Sequence, residues 1–300
     1  MGADTDHKRG LQGGGLRLSS FFYAFRRLPP GLEAAYVGAQ QGPAVNQSSE
    51  PMFNVPAVIV AVLAVLAAIH AIRVYVLSPE EDLELLLLFT FIPARYDTSL
   101  LLDGALPGGF GAQILTFVTY SLIHADITHL GMNAVWFVPF GSAIAWRFGA
   151  GRFLAFFAMT AAGGAAAHLI AHAGEVLPVI GASAAVSGMM AASMRFAFQP
   201  GGPLAGWQKR SPRSWHVPAV PLLSSLRDPR IVAFLTVWFG LNILFGLGSL
   251  PIAGAGQTVA WEAHIGGFLA GLLLFSAFDP APKQVPFDDG AGPEGEAARE

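Results

Sequence analysis

From Pro56 to Leu77 the chain is apolar, with Arg73 as its only charged side chain. A helix that crosses a bilayer needs about 20 mostly apolar residues to cover about 30 Å of hydrocarbon. Six stretches meet or approach that length: Pro56–Leu77, Thr128–Arg147, Phe153–His172, Ser183–Phe198, Ile231–Leu247 and Thr258–Phe278. They are rich in Gly and Ala and show no period-two alternation, so they suit helices and not barrel strands. Composition supports this reading, because charged residues are 12% of the chain and hydrophobic ones 53%, against about 25% charged in a soluble protein. So few charges cannot clothe a water-soluble globule of this size. A soluble enzyme, a nucleic-acid binder and a disordered chain are excluded, and the bilayer itself becomes the first partner. The absence of cysteine removes disulfides, thiolate metal sites and a cysteine nucleophile. The expected class is an all-α membrane protein, a six-transmembrane-helix bundle with a long outer loop between helices 1 and 2.

The distribution of Lys and Arg sets its orientation. Arg147 and Arg152 lie in one connection, and Lys209, Arg210, Arg213, Arg227 and Arg230 lie in another. The N-terminal tail adds Lys8, Arg9, Arg17, Arg26 and Arg27, and the C-terminal tail adds Lys283 and Arg299. The alternate connections carry Arg73 and Arg95 alone, so both termini are expected in the cytoplasm. Three regions follow: a flexible cytoplasmic tail over 1–54, a membrane domain over 55–278, and an acidic disordered tail over 279–300. Met52, just before the first apolar run, is an alternative start. The run Leu83–Pro93 is too short to span and reads as an interfacial or re-entrant element of the long loop, with Arg95 anchoring that loop to headgroups.

Polar side chains inside such runs are costly and therefore informative. His129 and Asn133 are four residues apart, about 40° around a helix, and can point into one cavity or serve as interhelical glue. Asp126 or Thr128 suits the cap of that helix. Pro178 and Gly181 interrupt the chain before Ser183, and Gln199-Pro200-Gly201 ends the next run. A helix from Ser183 to Phe198 is only about 24 Å long and must begin below the membrane surface. Its unpaired first N–H groups then need a wet cavity, where they stabilise a negative oxygen beside a serine hydroxyl. The alternative is that Ser183 only caps the helix. In the last run His264, Gly267 and Gly271 share one face, and the two glycines form a G-x-x-x-G surface for close approach of a helix carrying Ala184 and Gly188. Such packing could bring the His264 ring to Ser183. The runs holding these residues all enter from the same side, so His129, Asn133, Ser183 and His264 lie at similar depth.

His124…His129-Leu-Gly-Met-Asn133, Gly181-Ala-Ser183 and Ala263-His264-Ile-Gly-Gly267 with Gly271, in this order and six-helix setting, resemble the rhomboid family of intramembrane serine proteases. The resemblance covers about residues 56–278. It implies a serine-type endopeptidase in which Ser183 is the nucleophile and His264 the general base and acid of a Ser-His dyad. It also implies an oxyanion hole made by His129, Asn133 and the Ser183 backbone N–H, supported by His124, Gly181, Gly267 and Gly271. Substrates would be transmembrane proteins cleaved near the outer face, without a cofactor or metal. The sequence departs from the family at Ala184, where Gly is frequent, and at Ser187, where some members place a Tyr stacked on the catalytic imidazole. Glu262 lies about 200° around the helix from His264 and points away, so a dyad fits better than a triad.

Two other readings compete. A non-catalytic rhomboid-like protein that binds or escorts membrane clients would keep the fold, but usually without the serine or histidine. A transporter would be expected to show matched broken helices in an internal repeat. His168 and His172, four apart, lack a His-Glu-x-x-His motif and read as interhelical or interfacial polar residues rather than metal ligands. Trp238 and Asn242 read as packing and interface residues. The compact six-span plan suits a bacterial inner membrane; nothing in the sequence sets the oligomeric state or names a substrate.

Overall fold

The computed structural model describes residues 55–97, 99, 106–205, 212–246 and 260–280, all within Val55–Glu300, the second of two units of the chain. The expected tails over 1–54 and 279–300 lie outside the described residues, apart from Asp279 and Pro280. Regular structure among the described residues is helical, with one isolated antiparallel bridge between Phe91 and Val179.

In chain order the helices are α1 (Ala57–Tyr75), α2 (Pro79–Phe89), α3 (Gly109–Thr119), α4 (Ile127–Phe148), α5 (Ala150–Ala171), α6 (Ser183–Met194), α7 (Leu222–Ser225), α8 (Pro229–Gly246) and α9 (Trp261–Phe278). Three of them, α1, α5 and α9, are long and apolar enough to cross a membrane. The remaining long apolar stretches also form helices, as α4, α6 and α8. The largest difference in a boundary is at α6, which stops at Met194 and not at Phe198, leaving 12 residues, or about 18 Å. Its end tightens into a turn in which the Arg195 and Phe196 N–H groups donate to the Ala192 and Ser193 carbonyls.

The connection after α1 is more ordered than the sequence suggests. Ser78 and Glu81 form a reciprocal capping box, with Pro79 in the first turn, and so start α2. The Ser78 amide, and then its hydroxyl, hold the Glu81 carboxyl below its ordinary pKa. The apolar run Leu83–Pro93 is therefore mostly a helix whose side chains stay outside the core. Arg95 does not reach headgroups. It is 3% exposed and donates to the Pro107 carbonyl at 2.7 Å and to the Leu87 carbonyl. Leu87 lies in the last turn of α2, where carbonyls have no partner within the helix.

Arg147, counted in the sequence as an orienting charge, is fully enclosed. It holds Asp279 with two bonds of 2.8 and 2.9 Å and the carbonyls of Trp215 and Val217 at 2.7 and 2.9 Å. Its guanidinium lies 4.4 Å from the Phe196 ring centre. This one side chain ties the end of α4 to the end of α9 and to the segment before α7.

The centre of the bundle is built on backbone contact. A Cβ on Gly267 would lie 2.1 Å from the Ala184 carbonyl oxygen, and one on Gly271 would lie 2.1 Å from that of Gly188. A Cβ on Gly266 would lie 2.4 Å from the Gly163 oxygen. Thus α9 touches α6 with one face and α5 with another, at a separation that only glycine permits.

Candidate active site

Each functional side chain is placed by a local device. Asp126 caps α4 by accepting the His129 N–H at 2.8 Å, which fixes the first turn that carries the His129 ring. The Ala125 N–H donates to His129 Nδ1 at 3.4 Å, leaving the proton on Nε2. One turn later, Asn133 anchors its Nδ2 on the His129 carbonyl at 2.9 Å. Both groups border the loop before α6. Gly181 has φ +107°, and a Cβ there would lie 2.6 Å from His129 Nε2 and 3.7 Å from Asn133 Nδ2. Only glycine meets both the backbone angle and the space.

Besides the bridge of Val179 to Phe91, two bonds hold the last residues of that loop. The Gly181 N–H donates to the Tyr120 carbonyl at 3.0 Å, and the Ala182 N–H donates to His124 Nε2 at 3.4 Å. The His124 ring is buried and stands edge-on to His129 with centres 5.1 Å apart. Its own carbonyl accepts from Arg73 at 2.8 Å.

Ser183 opens α6 but does not cap it. The cap position is Ala182, which supplies no side-chain bond. The Ser183 hydroxyl instead lies 2.7 Å from His264 Nε2. As the first residue of the helix, Ser183 has an N–H with no intrahelical acceptor. The glycine contacts between α6 and α9 bring the two side chains together. Ser187 donates its hydroxyl to the Ser183 carbonyl at 2.8 Å.

The other imidazole nitrogen has a partner that the sequence did not reveal. His264 Nδ1 lies 2.6 Å from Asn242 Oδ1, while Asn242 Nδ2 donates to the Trp238 carbonyl at 2.8 Å. The carbonyl of Trp238 can only accept, so it selects the amide's NH2 end and leaves Oδ1 facing His264. An oxygen there requires the proton on Nδ1, and Nε2 is then a lone pair aimed at the Ser183 hydroxyl. The available signal was an amide in the middle of an apolar helix. Glu262 faces elsewhere, with Oε1 3.4 Å from His172 Nε2.

The arrangement therefore combines a hydroxyl, a base fixed in the proton-accepting tautomer, and N–H donors beside the same loop. The rhomboid domain model matches residues 111–278, more than half of the chain, and the chain belongs to the rhomboid family. It is an integral membrane protein of a family whose members are generally intramembrane serine proteases. The match spans His124, His129, Asn133, Gly181, Ser183, Asn242, His264, Gly267 and Gly271. No curated protein is similar enough to match the chain.

Proposed function

We propose that this chain is an active intramembrane serine endopeptidase that cleaves transmembrane segments of other proteins near the outer face. The observation that carries the reading is the 2.7 Å approach of the Ser183 hydroxyl to His264 Nε2. In this reading α1, α4, α5, α6, α8 and α9 are the six spans of a domain over 55–278, and α2 and α3 belong to the outer loop. The Lys and Arg bias supports cytoplasmic termini.

In the first step His264 Nε2 takes the Ser183 proton as Oγ attacks the scissile carbonyl carbon. The new oxyanion meets the His129 Nε2–H, an Asn133 Nδ2–H and the Ser183 N–H, and each such donor is worth about 3 kcal/mol. His264 then returns its proton to the leaving amine, and water releases the acyl group from Ser183 by the same steps reversed. Asn242 is the positioning residue: it keeps the proton on Nδ1 and receives part of the charge when the ring becomes imidazolium. An Asn in this place supports a Ser-His-Asn arrangement, in which the amide orients the ring and takes no proton, in place of a bare dyad and of the stacked Tyr that Ser187 replaces.

The test is cleavage of a model single-span substrate in proteoliposomes together with labelling by a fluorophosphonate. The native chain cleaves and labels, whereas Ser183→Ala does neither. Undiminished cleavage by Ser183→Ala would overturn the proposal. A native chain that folds but does not label would favour a non-catalytic client-binding protein.

A further inference from the structure

A second cluster of ligand-type side chains lies where the end of α5 meets the start of α9. We infer that His168, His172 and Glu262 form a binding site for a zinc-class divalent cation. This inference is independent of the protease reading. One donor atom from each residue lies within 4.8 Å of the other two. His172 Nε2 and Glu262 Oε1 are 3.4 Å apart, and two ligands held at about 2.1 Å by a tetrahedral zinc stand about 3.4 Å apart.

The surroundings of the two imidazoles match a metal's needs. His168 Nε2 faces the Leu177 carbonyl at 3.2 Å, so that nitrogen carries the proton. His168 is fully buried, and its Nδ1, left with a lone pair, has no partner among the described residues. A histidine that binds a metal with one nitrogen commonly donates the other N–H to a carbonyl or carboxylate. His172 repeats the pattern, with Nδ1 3.0 Å from Glu175 Oε2 and Nε2 turned towards Glu262. The two rings are neighbours at the end of α5, His168 in its last turn and His172 just after it, with centres 4.6 Å apart. A His172 ring with an N–H on each nitrogen, donating one to Glu175 and one to Glu262, accounts for the carboxylates but gives His168 Nδ1 nothing to do. Two imidazoles and one carboxylate suit zinc better than magnesium or calcium, and leave a fourth position for water. An ion here joins α5 to α9 two residues before His264.

The experiment titrates Zn2+ into the full-length, chelator-stripped Ser183→Ala chain in detergent by calorimetry, with the zinc X-ray absorption edge recorded on the loaded protein. Catalysis is absent from this chain, so the outcome does not depend on the protease reading. The expected result is one zinc per chain with an imidazole-containing nitrogen and oxygen shell. Affinity should fall by at least about tenfold in His172→Ala and in Glu262→Gln. Glu262→Gln keeps shape and volume, so it carries the test if a histidine variant fails to fold. Absence of saturable binding, or an affinity in both variants unchanged from that of the Ser183→Ala chain, overturns the site; zinc held by histidines elsewhere would give the latter result.

Discussion

Asn242→Leu removes one acceptor, the Oδ1 that faces His264 Nδ1 at 2.6 Å, and roughly keeps the side-chain volume. The Nδ1–H is then left in the bundle interior without a partner, which costs about 1–3 kcal/mol. If that loss falls on the transition state, where the ring is cationic and the bond strongest, turnover drops by about 5-fold to about 150-fold. A second effect acts in the same direction. With nothing to hold the proton at Nδ1, part of the population places it on Nε2, where it blocks transfer from the Ser183 hydroxyl. Asn242 touches His264 and its own helix, so KM should change little while kcat falls. The assay is turnover of a fluorogenic transmembrane substrate in proteoliposomes, alongside the rate of fluorophosphonate labelling. Histidine 15N shifts supply a readout that a purely structural residue would leave alone, because they report which nitrogen is protonated. A folded Asn242→Leu with kcat within about twofold of the native value, and an unchanged tautomer, would refute the reasoning.

Gly181→Ala places a methyl 2.6 Å from His129 Nε2 at a φ of +107°; loss of that donor should lower kcat by about 10²- to 10³-fold, measured as turnover of the folded variant. Gly267→Val drives a branched side chain into the Ala184 carbonyl, 2.1 Å from the would-be Cβ. It should cost at least about 1–3 kcal/mol, and lower both the thermal midpoint in detergent and the labelling of Ser183. Arg147→Met removes two charge-assisted bonds to Asp279 and the donors to two backbone carbonyls, for a loss of about 3–5 kcal/mol; an unchanged denaturation midpoint would count against the clamp. Glu81 has its pKa depressed by Ser78, so its contribution to α2 is complete above the ordinary carboxylate pKa and disappears as pH falls through the lower folded value. A Ser78→Ala chain should show the Glu81 13C titration moved upward.

The long apolar runs were legible because an uninterrupted apolar stretch of about 20 residues suits little besides a bilayer crossing. The elements between α1 and α4 were not, for two different physical reasons. The sequence Ser78-Pro79-Glu80-Glu81 does carry a capping signature, but a search for spanning segments looks only at the apolar residues that follow it. In α3 the signal is weak from the start, since Gly109 and Gly111 lower helix propensity in the first turn and the start is set by Gly108 at φ +93°. Arg95 and Arg147 show a related blind spot. Counting charges assigns them to a membrane face, whereas carbonyls of a nearby helix end and of internal connections draw them into the protein.

The site divides along the same line. Ser183 and His264 could be paired from sequence because small residues follow each at helical spacing, and small residues imply backbone contact. Asn242 offered no such inference, because an amide in an apolar helix serves equally well as interhelical glue. The register comes from aromatic packing. The Trp238 ring stacks on Phe268 with centres 4.6 Å apart at 27°. Asn242 is one turn after Trp238 on α8, and His264 is one turn before Phe268 on α9. In an antiparallel pair, a step up one helix is a step down the other, so the aromatic contact carries Asn242 to His264 without further adjustment. The same Trp238 supplies the carbonyl that orients the amide. A residue read as packing thus determines, through one stack and one hydrogen bond, which nitrogen of His264 faces the serine.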